Sequence, residues 1–351
     1  MTRPAGAAFA LLLSALATLV AGCGRDERRV LVLYSPHGRD LLAFFERRYE
    51  TAHPEVDLQW VDMGSQEVLD RIRSERANPQ ADVWWGAPSD MFDRAAEEGL
   101  LEPFVPSWSE AVPPSARDPR GHWVGTYLTP EVIAYNDEVL TRAEAPHEWD
   151  EVLDPKWKDK VLIRDPLASG TMRAIFGAIM YREYRRQGEM EAGYRWLLRL
   201  DAQTKEYVLN PTLLYQKLSR REGLVTLWDM PDILRLRAHT EFPIDYVLPA
   251  SGTPVVVDAI AIVRGGPNPE LARTFVEFAG ARESLLEAAR RFYRIPVRED
   301  LPADSFPEWL REAAPRIHPM EVDRALVSEW TPKWLRHWDR HIRGRGRAEG
   351  H

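Results

Sequence analysis

The chain has 351 residues, 44% of them hydrophobic, and a formal net charge of -8. That length holds two domains of ordinary size with buried cores, and the acidic balance excludes nucleic acid as the main partner. A single cysteine, Cys23, excludes an intramolecular disulfide framework.

The N-terminus reads as an export signal. Arg3 precedes the apolar run "AAFALLLSALATLV", which has signal-peptide length and is short for a membrane span. The run ends in Val20-Ala21-Gly22-Cys23, which resembles the bacterial lipobox. Residues 1–22 are therefore expected to leave as a lipoprotein signal peptide, with Cys23 lipidated as the mature N-terminus. Acyl chains would anchor the protein at a bacterial membrane surface, facing the periplasm or the cell exterior, without spanning the bilayer.

Next come three strand–helix alternations. "RRVLVLYSPHG" is a buried strand with a loop at its carboxyl end, followed by the amphipathic "RDLLAFFERRYETAHP". "VDLQWVDMGS" and "ADVWWGAPS" repeat the pattern, each before a helix. This order predicts a parallel sheet with crossover helices. Ligands bind outside the carboxyl ends of such strands. Ser35, Gly64-Ser65 and Trp85-Gly86 at those ends are thus candidate ligand contacts.

"GHWVGTYLTPEVIAYN" follows a Pro-rich loop and reads as a pair of extended segments. A short helix in "HEWDEVLDPKWKD" leads to a strand, Lys160 to Arg164, and then to "DPLASGT". Here Ser169, Gly170 and Thr171 open a helix whose free N–H groups suit an anion. Further helices and the strand "GLVTLW" come next, then two apolar runs in "IDYVLPASGTPVVVDAIAIVRGG". A helix pair starts at Asn268, an expected N-cap, with Pro269 behind it. The Trp-rich end "SEWTPKWLRHWDRHIRGRGR" is expected to be a last helix packed by its Trp residues on the domain of the three strand–helix alternations, followed by a solvated basic tail.

The text "VLVLYSPHGRDLLAFFERRYETAHP", "ADVWWGAPSDMFDRAAEEGLLEPF", "WDEVLDPKWKDKVLIRDPLASGT" and "PNPELARTFVEFAGARESLLEAA", in this order, resembles a type 2 periplasmic solute-binding protein of a bacterial ABC importer. The resemblance is to the ferric-ion, phosphonate and sugar-phosphate branch. It implies an α/β fold of two lobes, each a mainly parallel sheet flanked by helices, joined by two crossover hinge strands. These fall on Tyr127–Asn136 and Pro254–Val263. Lobe one is expected to hold residues 29–126 plus 260–351, and lobe two 127–259. The family function is capture of a small solute in the cleft between lobes and delivery to a membrane permease, by a protein expected to be monomeric and to need no cofactor.

Ferric binders of this branch carry a Tyr-Tyr pair late in lobe two. "GLVTLWDMPDI" has none, and Trp228 and Asp229 stand there instead. The expected ligand is therefore anionic or zwitterionic, with Trp85, Tyr127 and Trp228 as aromatic walls. Asp229 and Asp232 would receive an ammonium or hydroxyls, with Asp258 on the return strand. A ferric reading would rest on Tyr34, His37 and Tyr127. A third reading is a ligand sensor that signals to a receptor. The chain has no Gly-x-Ser-x-Gly, His-Glu-x-x-His or Walker-type Gly-Lys-Ser/Thr motif, so an enzyme is not expected.

Overall fold

The computed structural model describes residues 28–346; the expected signal peptide and Cys23 lie outside the described residues. The first strands and helices alternate as their apolar periods predict: β1 (Arg29–Ser35), α1 (Arg39–Ala52), β2 (Val56–Asp62), α2 (Ser65–Ser74), β3 (Val83–Pro88) and α3 (Ser89–Glu97). β1 pairs in parallel with β2 and with β3, because each connection is a helical crossover. α1 turns Leu41, Leu42, Phe45 and Tyr49 inward, the stripe expected of a helix lying on a sheet.

After β4 (Leu101–Glu102) comes β5, which runs unbroken from Val124 to Tyr135. The second lobe follows as β6 (Val161–Arg164), α4 (Gly170–Gln187), α5 (Glu191–Gln203), β7 (Thr204–Val208), α6 (Pro211–Ser219), β8 (Val225–Asp229), α7 (Met230–His239) and β9 (Asp245–Val247). The chain returns through β10 (Val255–Val263), then α8 (Pro269–Ala279), α9 (Arg282–Phe292), β11 (Ile295–Pro296), α10 (Glu308–Ala313) and α11 (Arg324–His341). The described strands form one path ordered β2-β1-β3-β10-β5-β8-β6-β7, with β4, β9 and β11 beside it. Both flanks are parallel, and the centre, β10 against β5, is antiparallel.

β5 is one strand, where the sequence reads as a pair of segments. Its residues 124–130 pair with β10, and 131–135 pair with β8 and β9. Pro130 has no N–H to give and stands where the partner changes, a position that tolerates it. β5 is therefore the strand that belongs to both lobes.

Three expectations need correction. α11 packs mainly on the second lobe, and its start also meets the first, where Arg324 Nη2 donates to Ser89 Oγ at 3.0 Å. Trp334, Leu335 and Trp338 join Phe176, Ile179 and Leu200 in the core of the second lobe. The start of the basic tail is not loose: Gly344 N and Gly346 N donate to the two carboxylate oxygens of buried Asp201, each at 2.9 Å, and Arg343 pairs with Asp165 at 2.9 Å. Asn268 precedes α8 but makes no side-chain cap; its Nδ2 donates to Val30 O at 2.8 Å, tying α8 to β1.

Candidate ligand cleft

A cleft of about 660 Å³ opens where the two parallel flanks meet, a volume suited to a small solute. The chain enters its walls just beyond the carboxyl ends of β1, β2, β3, β6, β7 and β8, as the rule for parallel sheets requires. α1, α2, α4, α6 and α7 begin at these same points, so their positive ends converge.

One end of the cleft is built for an anion. Arg164 ends β6 and is 7% exposed, yet its Nε and Nη1 have no hydrogen-bond partner. Burial pulls its pKa below the usual guanidinium value, which leaves a desolvated cation in need of a counter-charge. Around it α2 begins after Gly64, with no side-chain cap, and α4 begins after Ser169. A Cβ on Gly64 would lie 3.2 Å from Ala168 O and 3.7 Å from Arg164 Nη2. A Cβ on Gly170 would lie 2.7 Å from Ser65 Oγ and from Pro88 Cδ. The two glycines thus let the helix starts of opposite lobes approach across the cleft. Ser169 Oγ accepts from Met172 N at 3.2 Å and caps α4, which leaves its hydroxyl hydrogen available to a ligand.

The other end is acidic. Glu131 on β5 sits opposite Asp229 on β8, on the same face. Asp258 on β10 accepts from Thr129 Oγ1, and Asp232 accepts from Tyr215 Oη at 2.7 Å. Arg294 faces the group and lies 3.8 Å from Asp232. Glu131 is fully buried and neither carboxyl oxygen has a partner. Burial first, then Asp229, Asp258 and Asp232, push its pKa well above the usual 4.5. Asp229 is raised for the same leading reason, burial, with Asp232 next.

A pH dependence follows. The folded-state pKa of Glu131 exceeds the unfolded value, so the folded state holds a proton the unfolded chain has lost. This contribution is complete below about pH 4.5 and is lost as pH rises toward the folded value. At Glu131 stability should therefore fall between pH 5 and pH 8, while buried His37, whose pKa is held well below 6.5, acts in the opposite sense. Glu131→Gln should recover about 1–3 kcal/mol at pH 8 and little at pH 5; urea midpoints at the two values would show it. Equal midpoints for variant and parent at pH 8 would mean the carboxyl is not held neutral.

The structure brings together only part of the expected site. Ser65, Ser169, Gly170, Thr171, Trp228, Asp229 and Asp258 line the cleft, with His37. Trp85 does not: its ring is fully buried in the first lobe's core, 5.1 Å from Phe45. Every residue of β3 is buried, so the strand's apolar text carries no sign of which face meets the ligand. Ser35 turns the loop by accepting from His37 N at 3.2 Å. Gly86, at φ 95°, makes room for His37, whose Nε2 would lie 2.7 Å from a Cβ there. Tyr127 lies in the core, 5.5 Å from the His37 ring. Tyr34 points away to Glu75, at 3.0 Å. Tyr34, His37 and Tyr127 thus do not share a site on the cleft. Among the described residues no group of three or more His, Cys, Asp or Glu is placed to hold a metal ion.

Sequence reasoning passed over Arg164, Glu131 and Arg294. Two had a signal: Arg164 ends an apolar strand, and Glu131 is the one acid in "TYLTPEVIAY". Arg294 was hidden in the basic run "RRFYR".

Over residues 78–316 the chain matches the family described as bacterial extracellular solute-binding protein. It is 27% identical over 299 residues to a probable ABC transporter periplasmic-binding protein of Sinorhizobium fredii, covering 85% of this chain and 82% of that one. It is 27% identical over 257 residues to a putative 2-aminoethylphosphonate-binding periplasmic protein of Salmonella typhimurium, covering 71% and 72%. The fold is similar to that of the periplasmic binding protein AfuA from Actinobacillus pleuropneumoniae, solved with fructose-6-phosphate, at a TM-score of 0.76 and 23% identity over 89% of this chain and 98% of that one.

Proposed function

The chain belongs to the bacterial extracellular solute-binding proteins, and from that premise we propose that its cargo is a small zwitterion or anion carrying a phosphonate or phosphate group. Such a protein serves an ABC importer: it takes up a small molecule and presents it to a membrane permease. The observation that carries the choice of cargo is Arg164, buried at the cleft with Nε and Nη1 unpartnered, beside the converging starts of α2 and α4. A tetrahedral oxyanion supplies what that arrangement lacks. The name of the Salmonella relative points the same way. Lipid attachment at Cys23 and a monomeric state belong to the same reading, the first supported by the Val20-Ala21-Gly22-Cys23 text.

The test is a thermal-shift panel of inorganic phosphate, 2-aminoethylphosphonate, hexose phosphates and ferric citrate. A ligand at a hundred times its Kd adds about 2.7 kcal/mol to the folded state and raises the melting temperature by roughly 4 °C. A shift with a phosphorus compound is expected. A shift with ferric citrate alone would sink the oxyanion reading and require carboxylates or His37 as iron ligands.

A further inference from the structure

The acidic end of the cleft holds more carboxyl groups than it has cations to balance them. Asp229, Asp232, Asp258 and Glu131 converge there. The facing groups from the surrounding elements are Arg294 after α9, Arg235 on α7 at 4.0 Å from Asp232, His37 in the β1–α1 loop, Tyr127 and Thr129 on β5, and Tyr215 on α6. Three of the four carboxyls are engaged. Asp229 accepts from Asp232 N at 2.9 Å, Asp232 has Tyr215 and Arg294, and Asp258 has Thr129. Glu131 alone has both oxygens buried and unmatched. A carboxyl in that position stays protonated until a cation comes to it.

We propose that Glu131 is the seat of the ligand's ammonium group, and that the arriving ammonium displaces the carboxyl proton to solvent. This rests on the oxyanion reading above and narrows it to phosphonates or phosphates bearing a primary amine. The step balances simply: Glu131 changes from carboxylic acid to carboxylate, one proton leaves to water, and the ammonium keeps its own three protons. Glu131 lies on β5 one residue past Pro130, where the strand changes from the first lobe's sheet to the second's. The ion pair thus forms on the strand shared by both lobes.

The experiment is isothermal titration calorimetry at pH 7 in two buffers of different ionisation enthalpy, with 2-aminoethylphosphonate and ethylphosphonate as probes. For the amine, the parent protein should release about one proton more than Glu131→Gln, a difference in which the probe's own ionisation cancels. Its Kd should rise roughly 10- to 100-fold in the variant, while ethylphosphonate binding is not weakened. Glu131→Gln keeps the shape of the neutral acid, and the ethylphosphonate titration reports that it is folded. Asp229→Asn, which retains a helix cap, should keep the extra proton. Equal proton counts in parent and Glu131→Gln overturn the exchange, as does loss of the proton in Asp229→Asn alone. Ethylphosphonate binding with no gain for the amine overturns the exchange and spares the oxyanion site. Failure of the parent to bind either probe overturns the exchange, and overturns the oxyanion reading too if phosphate and the hexose phosphates also give no thermal shift.

Discussion

Arg164→Met should weaken phosphonate or phosphate binding by about 3 kcal/mol, on the order of a hundredfold in Kd, and should not destabilise the empty protein. The two effects have one cause. In the empty protein the guanidinium is buried without partners for Nε and Nη1, so it costs desolvation and returns little. Methionine fills similar space with no charge. The melting temperature of the empty variant is therefore expected to equal or exceed the parent's, by up to about 1 kcal/mol in stability. Titration of the variant and a melt of each ligand-free protein would give both numbers. Parent-like affinity in the variant would move the anion elsewhere in the cleft, to Arg39, Arg235 or Arg294.

Trp338→Ala should cost about 3–5 kcal/mol of stability. The indole is fully buried, 5.6 Å from the Phe176 ring and 5.0 Å from the Tyr207 ring, with the Arg343 guanidinium 5.4 Å above it. It joins α11 to α4 and β7, so the loss falls on the second lobe. Urea unfolding of the variant should show that lobe releasing before the first. A cost below about 1 kcal/mol would mean α11 is only loosely seated, contrary to its place in the core.

What the sequence revealed, and what it did not, follows from how each residue is constrained. The alternation from β1 to α3 was readable because helical and extended periods are local properties. The loop "DPLASGT" was readable as a helix start because capping chemistry is local too. The wall residues were not. Trp84 and Trp85 sit side by side in a strand buried on both faces: Trp84 stacks on Phe92 at 3.9 Å, and Trp85 enters the opposite core. Nothing in the text "VWWGAP" says whether either meets a ligand. The placement of α11 is a long-range property. Its amphipathic face was evident, but the choice between two apolar surfaces depends on the path of residues 293–323 before it. Glu131 and Arg164 were each a polar residue in an apolar strand, which marks a buried polar group but does not name its partners.

That path has a consequence for how the protein is made. The first lobe takes Leu271, Phe275, Val276 and Leu285 into its core, and the second takes Trp334, Leu335, Trp338 and Ile342. Both sets come from the final quarter of the chain, and β10, at the centre of the sheet, comes only shortly before them. No N-terminal stretch of the polypeptide can complete either core. A chain still being synthesised therefore stays open, its apolar surfaces available to holding chaperones, and folds only when nearly all of it has emerged. A polypeptide that cannot fold early is one that can still be threaded through a membrane.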